Sequence, residues 1–161
     1  LKKYPVAESD SAIGHFYKSP LRDQLMHELG IGSMRNMKSI FWGIFVPVWT
    51  CKAYTFREKI NLWKSKLSIL PKTGLTTELL DTDFASIVPA LEVPVYFFSG
   101  KYDFTVNIGL SKTYLNKLKA PLKGFYTFNN SAHSPLFEEP FEVRQVFEKD
   151  ILNGTNHLAD K

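Results

Sequence analysis

The chain has 161 residues, 44% of them hydrophobic, 14% aromatic and 22% charged, with a formal net charge of +4. That composition describes a globular domain able to bury roughly 70% of its unfolded surface, and it excludes a disordered or low-complexity chain. The 20 basic residues are scattered among 16 acidic ones, which speaks against nucleic-acid binding, since that needs a basic stripe or patch.

The single cysteine, Cys51, allows no internal disulfide and fits a reducing cytoplasm. A cytoplasmic location is therefore expected; the chain opens at Leu1 without a methionine, a weak sign of truncation, and carries no signal-peptide pattern.

Residues 1 to about 85 read as a helical, irregular region. Ser19-Pro20 predicts a helix start, with Leu21, Leu25 and Leu29 on one face and Gly30 as its stop. Residues 34–45 predict a second helix carrying Met34, Met37 and Phe41. The run Ile40–Trp49 is the most apolar of the chain. Its ten residues are half the ~20 that span a bilayer and Pro47 interrupts them, so no membrane span is expected. Thr55-Phe56-Arg57-Glu58 has the form of a capping box, opening a helix with Phe56, Ile60, Trp63 and Leu67 in one stripe. Pro71 and Gly74 then break the chain.

From residue 86 to 161 the pattern changes. Val95–Phe98 and Gly124–Phe128 are solid apolar runs, as expected for parallel strands covered on both faces. A Leu- and Lys-rich helix is predicted between them, at about 107–119. Pro140 opens a last helix with Val143, Val146, Phe147 and Ile151 along one side. The fold class is therefore α/β, with a β-α-β-α crossover unit. Two parallel strands leave unpaired edges, so further strands are expected from another polypeptide, another copy or a missing N-terminal part of the same protein.

Asp103 lies five residues beyond Phe98, and His133 five beyond Phe128. Both loops thus open at the carboxyl ends of the strands, where α/β sheets gather their sites. An imidazole there can take the proton of a hydroxyl nucleophile, while a carboxylate fixes its tautomer and stabilises the imidazolium. The pair reads as the acid and base of a nucleophilic triad whose nucleophile lies outside the chain, because no Ser or Cys sits in a G-x-S-x-G turn. Taken singly, an Asp after a strand is more often a turn former or helix cap and a loop His a surface side chain; their joint placement is what raises the functional reading.

The tracts VPVYFFSGKYDFTVN and APLKGFYTFNNSAHSPLFEEP closely resemble the C-terminal portion of α/β-hydrolases, nearest to bacterial hydrolases related to proline iminopeptidases. By that resemblance Gly100-Lys101-Tyr102-Asp103 carries the triad acid and Ser131–Pro135 the triad histidine. NMKSIFW and residues 54–63 look like the helical cap of those enzymes. The likeness is strongest over 93–140 and looser over 10–80. It implies a cap at 1–85 followed by the last two core strands at 86–161, in a serine hydrolase acting on an ester or amide. The family's first six strands, nucleophile elbow and oxyanion-hole loop have no counterpart here, so the chain alone is expected to be inactive and to pair with itself or with the missing portion. The alternative is a non-catalytic binding or assembly module on the same scaffold.

Phe41, Trp42, Phe45 and Trp49 can line an apolar pocket for a small-molecule or peptide substrate, or simply pack between helices. His15, His27 and His157 lack ligand spacing with one another or with Cys51, so neither a metal nor an organic cofactor is implied. Ser134 adjoins His133 too closely in sequence to serve readily as its nucleophile, and the N-x-S/T matches at Asn129 and Asn153 are chance-level.

Overall fold

The computed structural model describes residue 15 and residues 19–161. The remainder of the helical region that the sequence assigns to residues 1–85 lies outside the described residues.

Helix α1 (Pro20–Glu28) begins as read, with Ser19 at its N-cap and proline at the first helical position. Gly30, at φ 66°, ends it. Leu29 sits at the C-cap and is exposed, outside the stripe it was assigned to.

The helix expected at 34–45 starts later and runs further. A π-helical turn, Phe41–Phe45, leads directly into α2 (Val46–Thr50). Pro47 explains the wide turn: proline cannot donate to the ladder and its ring crowds the preceding turn, and here the Val46 N–H reaches back five residues to the Phe41 carbonyl. The helix therefore passes through Pro47 instead of stopping before it. Met37 is buried against Gly43, in space that a Cβ would occupy.

Helix α3 (Phe56–Lys64) carries the capping box in full. The Glu58 N–H donates to Thr55 Oγ1 at 3.3 Å, and the Thr55 N–H donates to Glu58 Oε2 at 2.8 Å. Its apolar stripe largely faces solvent, however: Phe56 is 70% exposed and Leu67 72%. A π turn (Ser65–Ile69) and a 3-10 turn (Leu70–Lys72) follow, then two helices that the sequence did not announce, α4 (Leu75–Asp81) and α5 (Phe84–Ile87).

The β-α-β-α unit forms as expected. Strands β1 (Val95–Gly100) and β2 (Lys123–Phe128) are parallel, with Val95 opposite Lys123 and Gly100 opposite Phe128. Helix α6 (Ile108–Lys117) covers one face, where Leu115 and Leu118 pack with Val95 and Phe125. A single turn, α7 (Pro135–Glu138), leads into α8 (Pro140–Lys149) on the other face, where Val143 and Val146 pack with Tyr126 and Phe128. Apolar residues on both faces of each strand thus find cover.

The two sheet edges differ. Val95 and Lys101 donate to the carbonyls of Leu122 and Phe128, so alternate residues of β1 face β2. Tyr96 and Phe98 accordingly turn their backbone groups outward, where no backbone partner meets them among the described residues. The outer edge of β2 is capped by the C-terminal tail. The Asp160 N–H donates to the Phe125 carbonyl, Thr127 N–H donates to Asp160 Oδ1, and Asn156 Nδ2 donates to the Lys123 carbonyl.

Asp150 anchors that tail. Fully buried, it accepts hydrogen bonds from the Tyr126 hydroxyl, the Thr155 hydroxyl and the N–H groups of His157 and Leu158. Desolvation alone would raise its carboxyl, but these donors outweigh it and hold the group below its ordinary value. Burial and the same carboxylate push the Tyr126 hydroxyl well above the usual phenol range.

A carboxyl lowered in the folded state contributes stability that is present above the unfolded value of about 4 and lost as pH falls through the folded value. The urea midpoint is expected to fall on acidification below about pH 4. In Asp150→Asn that pH dependence should flatten, and stability at neutral pH should drop by about 2–3 kcal/mol as donors lose their partner. Urea titrations of both proteins at neutral and acid pH measure it.

Candidate active site

Asp103 and His133 come together at the carboxyl ends of the two strands. His133 Nδ1 stands 2.8 Å from Asp103 Oδ2. The other carboxylate oxygen, Oδ1, accepts the N–H groups of Thr105 at 2.9 Å and Val106 at 3.1 Å. One oxygen thus fixes the loop while the other faces the imidazole. The Asn107 side chain then caps α6 by accepting the Leu110 N–H.

The pair is unequally exposed. The Asp103 side chain is 5% accessible and that of His133 44%. A carboxylate accepts only, so Nδ1 is the donor and the neutral ring keeps its lone pair on Nε2.

Two features bring the loops to this distance. Gly100 ends β1 where a Cβ would overlap the carbonyls of Ser131 and Ala132, so the residue before the Asp loop must lack a side chain for the His loop to lie against it. The Tyr102 N–H then donates to the Ser131 carbonyl at 2.9 Å, joining the loops through the backbone.

A second pair of acidic residues, not singled out from the sequence, holds the His loop from below. Glu139 Oε1 accepts the Asn130 N–H at 2.9 Å and the Ser131 hydroxyl at 2.6 Å, and Glu138 Oε2 accepts the Ala132 N–H at 2.8 Å. Glu138 Oε1 accepts the Arg35 N–H from the helical region, while the Arg35 guanidinium lies 3.7 Å above the Tyr102 ring. The available signal was the Glu-Glu-Pro run just after the histidine, which reads equally well as a solvated helix start.

His133 lines two cavities. One, of about 90 Å³, lies over the strand ends with Asp103, Ser99 and Phe125; the other, of about 270 Å³, lies toward the helical region with Thr105 and Lys66. A larger cavity, of about 540 Å³, is bounded by Met37, Trp42 and Glu138 and does not reach either residue of the pair.

Of the four aromatic residues considered for substrate binding, Trp42 lines that larger cavity. Phe41, Phe45 and Trp49 form a stacked ladder, with centroids 5.3 Å and 5.7 Å apart, and Trp63 packs on Phe45 at 5.1 Å. Ser134 heads α7, its carbonyl accepting from Phe137 and Glu138. Among the described residues, no group of three or more His, Cys, Asp or Glu side chains could hold a metal ion, and no helix is long and apolar enough to cross a membrane.

Comparison with known proteins gives a partial match. The chain is 45% identical over 69 residues to a Bacillus subtilis protein named probable aminopeptidase YbaC. The relative is of hydrolase type. The match takes in 43% of this chain and 22% of that protein's length. No family model matches the chain, and no solved structure does.

The tautomer can be tested directly. In ¹⁵N spectra, neutral His133 is expected to carry its proton on Nδ1, and Asp103→Asn to shift the population toward the Nε2–H form. An unchanged tautomer ratio would mean that the carboxylate does not orient the ring.

Proposed function

We propose that the chain is the C-terminal part of a serine hydrolase of the α/β-hydrolase type, cleaving an ester or amide bond in the cytoplasm. In this reading residues 1–85 contribute a cap, residues 86–161 the last part of the core, and the nucleophile comes from a segment outside these residues. The observation that carries the reading is the 2.8 Å contact between His133 Nδ1 and a buried Asp103 carboxylate whose second oxygen is held by backbone amides.

The chemistry runs through Nε2. It accepts the proton of the attacking hydroxyl as the nucleophile adds to the carbonyl carbon, and the imidazolium so formed is stabilised by Asp103. The same proton passes to the departing alcohol or amine. A water molecule then repeats the cycle to release the acyl group. The partial relative named as an aminopeptidase favours an amide, such as a peptide with a free N-terminus, although a small ester or lipid-like acyl group is compatible with the same machinery. No metal or organic cofactor enters these steps.

Lacking a nucleophile elbow and oxyanion hole, the 161 residues alone should neither hydrolyse an aryl ester or aminoacyl anilide nor take a fluorophosphonate label at a single serine. Expressed together with the coding sequence upstream of Leu1, the protein should do both. There, Asp103→Asn and His133→Ala should each lower kcat by about 10³–10⁴-fold. Specific labelling of the chain alone, or wild-type rates in both variants, would defeat the reading and favour a binding or assembly module instead.

The outward-facing backbone of β1 and the exposed Trp42, Phe56 and Leu67 support the further proposal that the chain pairs with another copy or with the remainder of its core. Sedimentation of the isolated chain should show self-association or a loosely packed species. A compact, stable monomer is the contrary result.

A further inference from the structure

Arg35, in the loop after α1, reaches both halves of the acid–base pair. Its N–H donates to Glu138 Oε1, and the other oxygen of that carboxylate accepts the Ala132 N–H at 2.8 Å, one residue before His133. Its guanidinium lies 3.7 Å above the ring of Tyr102, one residue before Asp103. The Tyr102 N–H in turn donates to the Ser131 carbonyl at 2.9 Å. Followed in order, Arg35, Glu138, Ala132, Ser131 and Tyr102 close a ring of contacts around the base of both loops.

The local backbone holds Arg35 at this junction. Gly30 turns the chain at φ 66°, and a Cβ there would come within 2.9 Å of the Arg35 carbonyl. The Met37 N–H donates to the Met34 carbonyl at 3.3 Å, folding a turn around residue 35. Glu138 suits its place for a chemical reason. Both of its partners are backbone donors, and a carboxylate has an acceptor oxygen for each. An amide side chain offers one acceptor and would turn its NH₂ toward the second donor.

We propose that Glu138 and Arg35 are positioning residues for the Asp103–His133 pair, which keeps its alignment only while the loop after α1 is seated on both of its loops. Neither residue touches the reacting atoms. They act on the residues next to the pair, through directional bonds that set where each loop runs. Reaction rates fall steeply with small displacements of the reacting groups. The helical region thus contributes to the chemistry by fixing geometry, apart from any surface it offers a substrate.

The test follows the ¹⁵N imidazole spectrum of His133 in the full 161-residue chain. Glu138→Gln and Arg35→Met are each expected to raise the Nε2–H population at the expense of Nδ1–H. Arg35→Lys, which keeps a cation over Tyr102, should stay close to wild type. The double variant should be no worse than Glu138→Gln alone, because both substitutions open the same ring. Asp150→Asn, which loosens the C-terminal tail and touches neither loop, should lower the urea midpoint without moving the tautomer ratio. In the protein expressed with its upstream sequence, Glu138→Gln should lower kcat by about 10- to 100-fold and leave KM within about twofold. Should Glu138→Gln fail to fold, Arg35→Met, altering a half-buried side chain, decides alone.

An unchanged tautomer ratio in both variants would overturn the proposal, and so would an equal change in Asp150→Asn, which would mark a general loss of stability. A shift in Glu138→Gln with Arg35→Met silent would reduce Glu138 to a brace within the His loop and sink the link to the helical region. Fully additive effects would show two separate contacts in place of one ring. The kcat comparison rests on the hydrolase reading and the tautomer comparison does not. Tautomer shifts in a protein that hydrolyses nothing would retain the positioning role and discard that reading; hydrolysis with unmoved tautomers would do the reverse.

Discussion

The hydrogen bond from the Tyr102 N–H to the Ser131 carbonyl, made possible by the missing side chain at Gly100, is the constraint on which the candidate site depends. Parallel strands deliver their loops to one edge of a sheet but do not make those loops touch. Here the first loop leaves β1 directly beneath the second, and a methyl group at position 100 would stand in its path. Once the backbones are joined, Asp103 and His133 meet at 2.8 Å.

Carboxylates, more than apolar contacts, hold the irregular parts of this chain in place. Asp103 fixes its own turn, Glu138 and Glu139 hold three successive residues of the His loop, and Asp150 and Asp160 bind the C-terminal tail. A carboxylate is an acceptor with two oxygens and can satisfy several backbone N–H groups that have no place in a helix or ladder. Such bonds are directional, so they specify the path of a loop, where a hydrophobic contact would leave it free to slide. Glu138 has a further role: by also accepting the Arg35 N–H it ties the helical region to the segment bearing the imidazole.

The elements around the site were legible because their signals are local. Continuous apolar runs gave both strands, Pro140 gave the start of α8, and the Thr55–Glu58 spacing gave a cap visible atom by atom. The juxtaposition of Asp103 and His133 followed from topology, since strands running in the same direction end on the same side. What escaped the reading depends on contacts distant in sequence or on backbone adjustment. Nothing local shows that Glu138 reaches Arg35, 103 residues away. Nor does an apolar run interrupted by proline announce a helix that widens at Phe41–Phe45 in order to pass it. The start of the helix at Phe56 was legible, but Leu67 falls in the π turn beyond its end at Lys64, and both side chains are exposed, which periodicity does not tell.

The unequal edges of the sheet give it a direction. With Asn156 and Asp160 occupying the far side of β2, nothing can be added there without first displacing the tail that Asp150 locks down. Any enlargement must proceed from the opposite flank, alongside Tyr96 and Phe98, making β2 the terminus of whatever larger sheet forms. The histidine then stands at the outermost strand of that assembly and the carboxylate one place inward, so a newly arrived neighbour would meet Asp103's strand before that of His133.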